Sequence, residues 1–228
     1  MKHMASLDTS HSRFKKELFY AWLYAFASPI LFALTVGIVG FITPGYNHLN
    51  HTISRLAIEK YGWIQELNFI QFAFGIILSG FLMRRIMSDR QSKRFWLVST
   101  IFSATILIIV SLFPTDPIEN VRFSANLLSK NGLIHFASLG LLFLLCPFGV
   151  RNLSRTLMRE KDFTSLAHVT SVIGYTVSFL CIIWIMFFIG GLFLAYRGIF
   201  QKAIALLCIY WIVRVLWVIR KPFIQTYL

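Results

Sequence analysis

The sequence predicts an all-α fold: a polytopic membrane protein with six transmembrane helices in one bundle and both termini cytoplasmic. Three observations carry this expectation. First, the chain is 57% apolar and only 14% charged over 228 residues, with a mean hydropathy of +0.70, whereas an average soluble domain is about one quarter charged. Second, the apolar residues gather into six runs, near residues 18–42, 64–83, 95–113, 133–150, 166–190 and 203–219. Each approaches the roughly 20 residues that a helix needs to cross about 30 Å of hydrocarbon. Third, the basic residues alternate between the connecting segments.

Cytoplasmic loops hold the excess of Lys and Arg. One set of segments carries Lys2, Arg13, Lys15 and Lys16, then Arg84, Arg85, Arg90, Lys93 and Arg94, then Arg151, Arg155, Arg159 and Lys161, then Arg214, Arg220 and Lys221. The other set carries only Arg55, Lys60, Arg122, Lys130, Arg197 and Lys202. The first set includes both termini, which are therefore expected in the cytoplasm. A net charge of +13 would otherwise suggest nucleic acid. Here the charge is spread over short loops beside apolar spans, so nucleic acid is excluded and anionic lipid headgroups are the expected partners of the cytoplasmic loops.

Residues 1–17 read as a polar cytoplasmic tail, 18–221 as the transmembrane domain and 222–228 as a second cytoplasmic tail. The first span is too long for a signal-peptide core and no small-residue cleavage pattern follows it, so it reads as a permanent helix. Pro29 within it removes a backbone donor and predicts a packing kink. The second span places Asn68, Gln71, Gly75 and Ser79 on one helical face. Small residues and amides in a stripe predict a helix contact surface, the alternative being a polar path for a transported solute. Span five has a similar stripe in His168, Ser171, Tyr175 and Ser178, and Arg214 in span six lies close enough to the cytoplasmic end to snorkel. Cys146, Cys181 and Cys208 all fall within spans, where a small apolar role is expected.

The candidate site lies on the opposite side. A helix over residues 47–58 would put His48, His51 and Arg55 on one face and Leu49, Ile53 and Leu56 on another, an amphipathic segment suited to the membrane interface. Glu66 enters the second span, Asp116 opens the next outer loop, and His135 sits about one turn inside span four. Ionisable groups at membrane depth are costly unless they face a cavity or a partner, which nominates Glu66 and His135. Asp116 has a structural rival: "TDPIE" has the form of an N-cap Asp, a Pro at the first helical position and a Glu at the third.

Two catalytic readings stand beside simple binding. In one, His51, His135 and a carboxylate from Glu66 or Asp116 hold a zinc ion that activates water. In the other, Ser54 is a nucleophile with His51 or His135 as its base. No H-E-x-x-H signature is present, and the zinc ligands would come from separate segments.

The stretches "HTISRLAIEKYGWIQELNF", "LFPTDP", "GLIHFASLGLLFLLCP" and "GIFQKAIALLCIYW" follow one another in order between Pro44 and Trp211. Together they resemble the six-helix membrane family known as domain of unknown function 998. The resemblance implies a compact six-helix bundle, brings forward Ser54, Gly62, Trp63, Asn68, Pro114, Asp116 and His135 as motif positions, and suggests a bacterial inner membrane. It supplies no activity. Members of that family commonly carry an acidic residue after the serine, where this chain has Arg55, a reversal that favours an anionic ligand over a cation. A looser similarity to membrane-embedded Ser/Asp/His hydrolases and to six-helix lipid phosphatases extends only to architecture, since their signature histidines are missing. The expectation is an outer-face pocket of His48, His51, Ser54, Arg55, Glu66, Asp116 and His135 that binds a lipid headgroup or a small polar or anionic ligand. A zinc-dependent lipid hydrolase and a transporter are the alternatives.

Overall fold

A computed structural model describes residues 2–117, 128–190 and 194–224. Six long helices dominate: α1 (Lys2–Ile42), α2 (Gly62–Ile86), α3 (Arg90–Leu112), α4 (Lys130–Met158), α5 (Thr164–Gly190) and α6 (Arg197–Val218), followed by a single turn, α7 (Lys221–Ile224). All six are long and apolar enough to cross a membrane, α1 from Lys16 onward. Helix α1 runs back to Lys2, through the segment read as a tail, because neither Gly nor Pro interrupts the chain before Pro29. Large apolar side chains such as Phe41, Leu144 and Phe179 point outward. Such a surface would aggregate in water and is at home in lipid.

Each helix packs on the next, and α1 also packs on α6, which closes a ring. Close approach is secured by small residues. A Cβ at Gly75 of α2 would collide with Ser28 of α1, and one at Gly174 of α5 with Val150 of α4. The amide stripe of α2 is a helix contact, as its composition predicts. Gln71 Nε2 donates to the Ser28 carbonyl at 3.2 Å and to Asn68 Oδ1 at 3.0 Å, and Asn68 Nδ2 donates to the Phe32 carbonyl at 3.1 Å.

The two ends of the ring are built differently. At the end carrying most of the basic residues, one core cluster draws on all six helices, with Trp22, Leu82, Met83, Trp96, Leu157, Leu166 and Leu216 buried together. Trp22 donates its indole N–H to the Leu216 carbonyl at 2.9 Å, joining α1 to α6. The α2–α3 turn is tied to the α4–α5 turn through Glu160, whose carboxylate accepts from the Ser88 N–H at 2.8 Å and the Ser88 hydroxyl at 2.9 Å. Asp89 caps α3 by accepting from Ser92 N at 2.8 Å. Burial works to raise the Glu160 carboxyl, but the Ser88 and Asp89 donors outweigh it and hold it below its usual value.

Toward the other end the core divides. One cluster joins α1, α2, α3 and α6 around Phe32, Phe69, Phe72, Val110 and Ile209. A second joins α4, α5 and α6 around Leu139, Phe143, Val177 and Trp184. A strap, residues 43–61, crosses this end between α1 and α2. It begins with a turn in which Tyr46 N–H donates to the Thr43 carbonyl at 3.2 Å and Gly45 adopts φ 76°, a conformation L side chains rarely take.

Candidate functional site

The strap is not the amphipathic helix its periodicity suggests. His51 N–H closes a turn on the Asn47 carbonyl at 2.8 Å, Thr52 is extended at ψ 162°, and only Ile53–Ile58 is helical, as a 3-10 turn. A 3-10 helix repeats every three residues rather than 3.6, so His48, His51 and Arg55 do not form a common helical face. The apolar side also points differently. Ile53 and Leu56 are buried in the core under the strap rather than turned to lipid, and Leu49 alone of the three is exposed.

Helix α6 holds the strap in place. Lys202 Nζ donates to the His51 carbonyl at 2.6 Å and the His48 carbonyl at 3.1 Å, and lies 5.2 Å from the centre of the Tyr46 ring. Gln201 Oε1 accepts from Ile53 N at 2.7 Å, and Ile199 N donates to the Leu49 carbonyl at 2.9 Å. The last bond satisfies one of the N-terminal amides that every helix leaves without an intrahelical acceptor. Gly198 meets the His51 backbone so closely that a Cβ there would overlap its carbonyl.

Of the predicted site residues, His48, His51, Ser54 and Arg55 belong to this strap. His48 is exposed and stacks edge-on to Tyr46 at 5.0 Å. Partial burial, with the Lys202 charge adding to it, lowers its pKa. His51 Nδ1 accepts from Asn47 N at 3.1 Å. Ser54 is buried. Arg55 Nε pairs with Glu59 Oε1 at 2.7 Å, so its charge is met within the strap.

Asp116 and His135 form a second group, at the junction of α3 and α4. Asp116 Oδ2 accepts from Ser129 N at 2.8 Å, and Ser129 in turn caps α4 by accepting from Gly132 N at 3.0 Å. Asp116 therefore serves the start of α4; the helix that "TDPIE" would open falls on residues 118–127, outside the described residues. Gly132 is where the carboxylate rests, for a Cβ there would collide with Asp116 Oδ2. One turn further along α4, His135 is 1% exposed and its Nδ1 donates to the Phe113 carbonyl at 2.8 Å. A carbonyl can only accept, so in the neutral ring the proton sits on Nδ1 and Nε2 is a bare acceptor. Nε2 is buried and has no hydrogen-bond partner among the described residues.

Glu66 lies at the same level on α2, where its carbonyl accepts from the Ser111 hydroxyl at 2.9 Å. Just before it stands Gln65, a residue the motifs do not single out. It is wholly buried, and its Nε2 has no partner among the described residues. Extending the amide stripe of Asn68 and Gln71 back by three residues reaches Gln65. Lys202 was visible only as one of the few basic residues outside the cytoplasmic set. The residues nominated for zinc are divided among the strap (His51), the start of α2 (Glu66) and the α3–α4 junction (Asp116 and His135). Among the described residues no three His, Cys, Asp or Glu side chains come within reach of one metal ion.

Six apolar helices closed into a ring define a multi-pass integral membrane protein. The sequence profile of the family described as "Protein of unknown function (DUF998)" matches residues 26–218, and the chain belongs to that family. No curated protein and no solved structure matches it.

Proposed function

We propose that this protein binds the polar headgroup of a lipid, or a small polar ligand of the same chemistry, at the strap end of the ring, with His135 and Asp116 as recognition groups. The observation that carries the reading is the His135 Nε2 acceptor, sealed inside an apolar bundle with no partner among the described residues. An unpaired buried polar atom costs about 1–3 kcal/mol, and such costs are sustained where a ligand meets them. Arg55 is engaged by Glu59 and the Asp116 carboxylate rests against Gly132, one turn before His135, which favours a neutral headgroup over an anionic one. The strap end is read as the extracytoplasmic face of a bacterial inner membrane. The exposed Arg84, Arg85, Arg90, Arg94, Arg151 and Arg155 at the opposite end suit the anionic lipids of the cytoplasmic leaflet.

Native mass spectrometry of the protein extracted in mild detergent tests the binding. A co-purifying lipid or small-molecule adduct is expected on the wild type and should be lost from His135→Phe. Identical adducts on both proteins would refute the role of His135. A reporter fused after Leu228 should be active in the cytoplasm, and activity on the far side would reverse the orientation.

A further inference from the structure

We infer that Gln65 is a second recognition residue and that the group bound between it and His135 is a neutral hydroxyl; the inference rests on the binding site proposed above. The placement follows from three contacts. The Ser111 hydroxyl donates to the Glu66 carbonyl, which levels the start of α2 with the end of α3. Two residues beyond Ser111, the Phe113 carbonyl receives His135 Nδ1, which levels α4 with both. Val110, three residues before Phe113, belongs to the same core cluster as Phe69, one turn along α2 from Gln65. Gln65 and His135 thus occupy one layer of the ring on either side of α3, at 0% and 1% exposure, so both face inward.

Their chemistry is complementary. Gln65 Oε1 accepts from Asn68 Nδ2 at 3.4 Å, so the unpartnered end of that side chain is a donor. His135 Nδ1 is spent on Phe113, so its unpartnered end is an acceptor. A phosphate or carboxylate offers acceptors and leaves His135 unmet, while an ammonium offers donors and leaves Gln65 unmet. A hydroxyl donates to one and accepts from the other. Neither atom is open to solvent in this structure.

The test uses the full chain in lipid nanodiscs, with binding followed by native mass spectrometry and by thermal shift. The probes are monolauroylglycerol, glycerol, lauryl phosphate and methyl laurate. Monolauroylglycerol or glycerol should bind, the first marking a lipid-borne hydroxyl and the second a soluble one, and methyl laurate, which lacks a donor, should not. Gln65→Leu should weaken the binding about tenfold, the scale of one lost hydrogen bond. Its unliganded melting temperature should stay close to that of the wild type, because the change removes an unmet donor but also the long bond from Asn68 Nδ2, which keeps the Phe32 carbonyl. Gln65→Glu, which presents only acceptors when ionised, should weaken binding at least as much. Unchanged binding by Gln65→Leu, or tighter binding of lauryl phosphate than of either hydroxyl probe, would overturn this inference and leave the His135 site standing. Failure of all four probes, together with adducts unaffected by His135→Phe, would make the layer an ordered-water site only and overturn both.

Discussion

The basic end and the strap end of the ring use the same helices to opposite effect. At the basic end the six helices share one core, and the turn polar groups of Ser88, Asp89, Ser92 and Glu160 find each other. Toward the strap end the core splits in two. There α6 must hold the crossing segment with a lysine and a glutamine, and Gln65 and His135 are left with interior atoms that have no partner among the described residues. The basic end is not free of such atoms, since the Trp96 indole N–H is also buried without a partner among the described residues. The difference lies in pairing. Trp96 stacks on Trp211 and offers a lone donor inside a single core, whereas Gln65 and His135 offer a matched donor and acceptor in one layer. Stability is concentrated where the helices converge, and unmet hydrogen bonding capacity where they separate.

The comparison can be broken most directly at the basic end. Leu82 is fully buried in the shared core, and Leu82→Ala should destabilise the whole bundle by about 2–5 kcal/mol, the usual scale of such a cavity. Reversible unfolding in mixed micelles would measure it, and a loss confined to α2 would show that the core is not shared. At the strap end the effect should be smaller and local. Lys202→Met keeps the apolar stem but removes the donor to the His48 and His51 carbonyls, at a cost of about 1–3 kcal/mol. Hydrogen exchange should accelerate over residues 47–53 and remain unchanged in α2 and α3 near Met83 and Trp96. Equal acceleration at both ends would erase the distinction drawn here.

The smallest effect is expected from pH. The folded pKa of His48 is depressed below its ordinary 6.5. Between that folded value and 6.5 the unfolded state binds more protons than the native one, so the contribution of His48 is whole above about 6.5 and is lost as the pH falls below it. Asp89 and Glu160 are also depressed, from ordinary values of 3.8 and 4.5, so their contribution is whole above those values and lost only at more acidic pH. Once exchange is corrected for the intrinsic slowing of amide exchange at lower pH, opening of the strap should therefore rise between pH 7 and pH 5 while the basic end holds. His48→Gln should flatten that rise, and a rise that persists in the variant would assign it to another group.

The strap shows where sequence reasoning reached its limit. The histidine and arginine spacing fits an α-helix, and nothing local to residues 47–58 contradicts it. The competing conformation is stabilised from far along the chain, by Ile199, Gln201 and Lys202, whose bonds to the strap outweigh the local periodicity. Arg55 makes a different point, since Glu59 stands four residues on, the spacing of a helical ion pair, so its partner is legible in the sequence. Asp116 and His135 fared differently. Their types and positions nominated them, and the structure seats both at the α3–α4 junction because a glycine at 132 leaves room for the carboxylate.

The sequence by itself determined the number of helices, their membrane character and the separation of a basic end from a polar one. These follow from the thickness of the bilayer and the cost of burying charge, which act on each segment independently. Only the tertiary structure decided that the ring closes between α1 and α6, that the strap folds onto α6, and that the end of α3 bonds both the start of α2 and His135 of α4. Each of these depends on which side chains distant parts of the chain bring within about 3 Å of one another, and no local pattern encodes that distance.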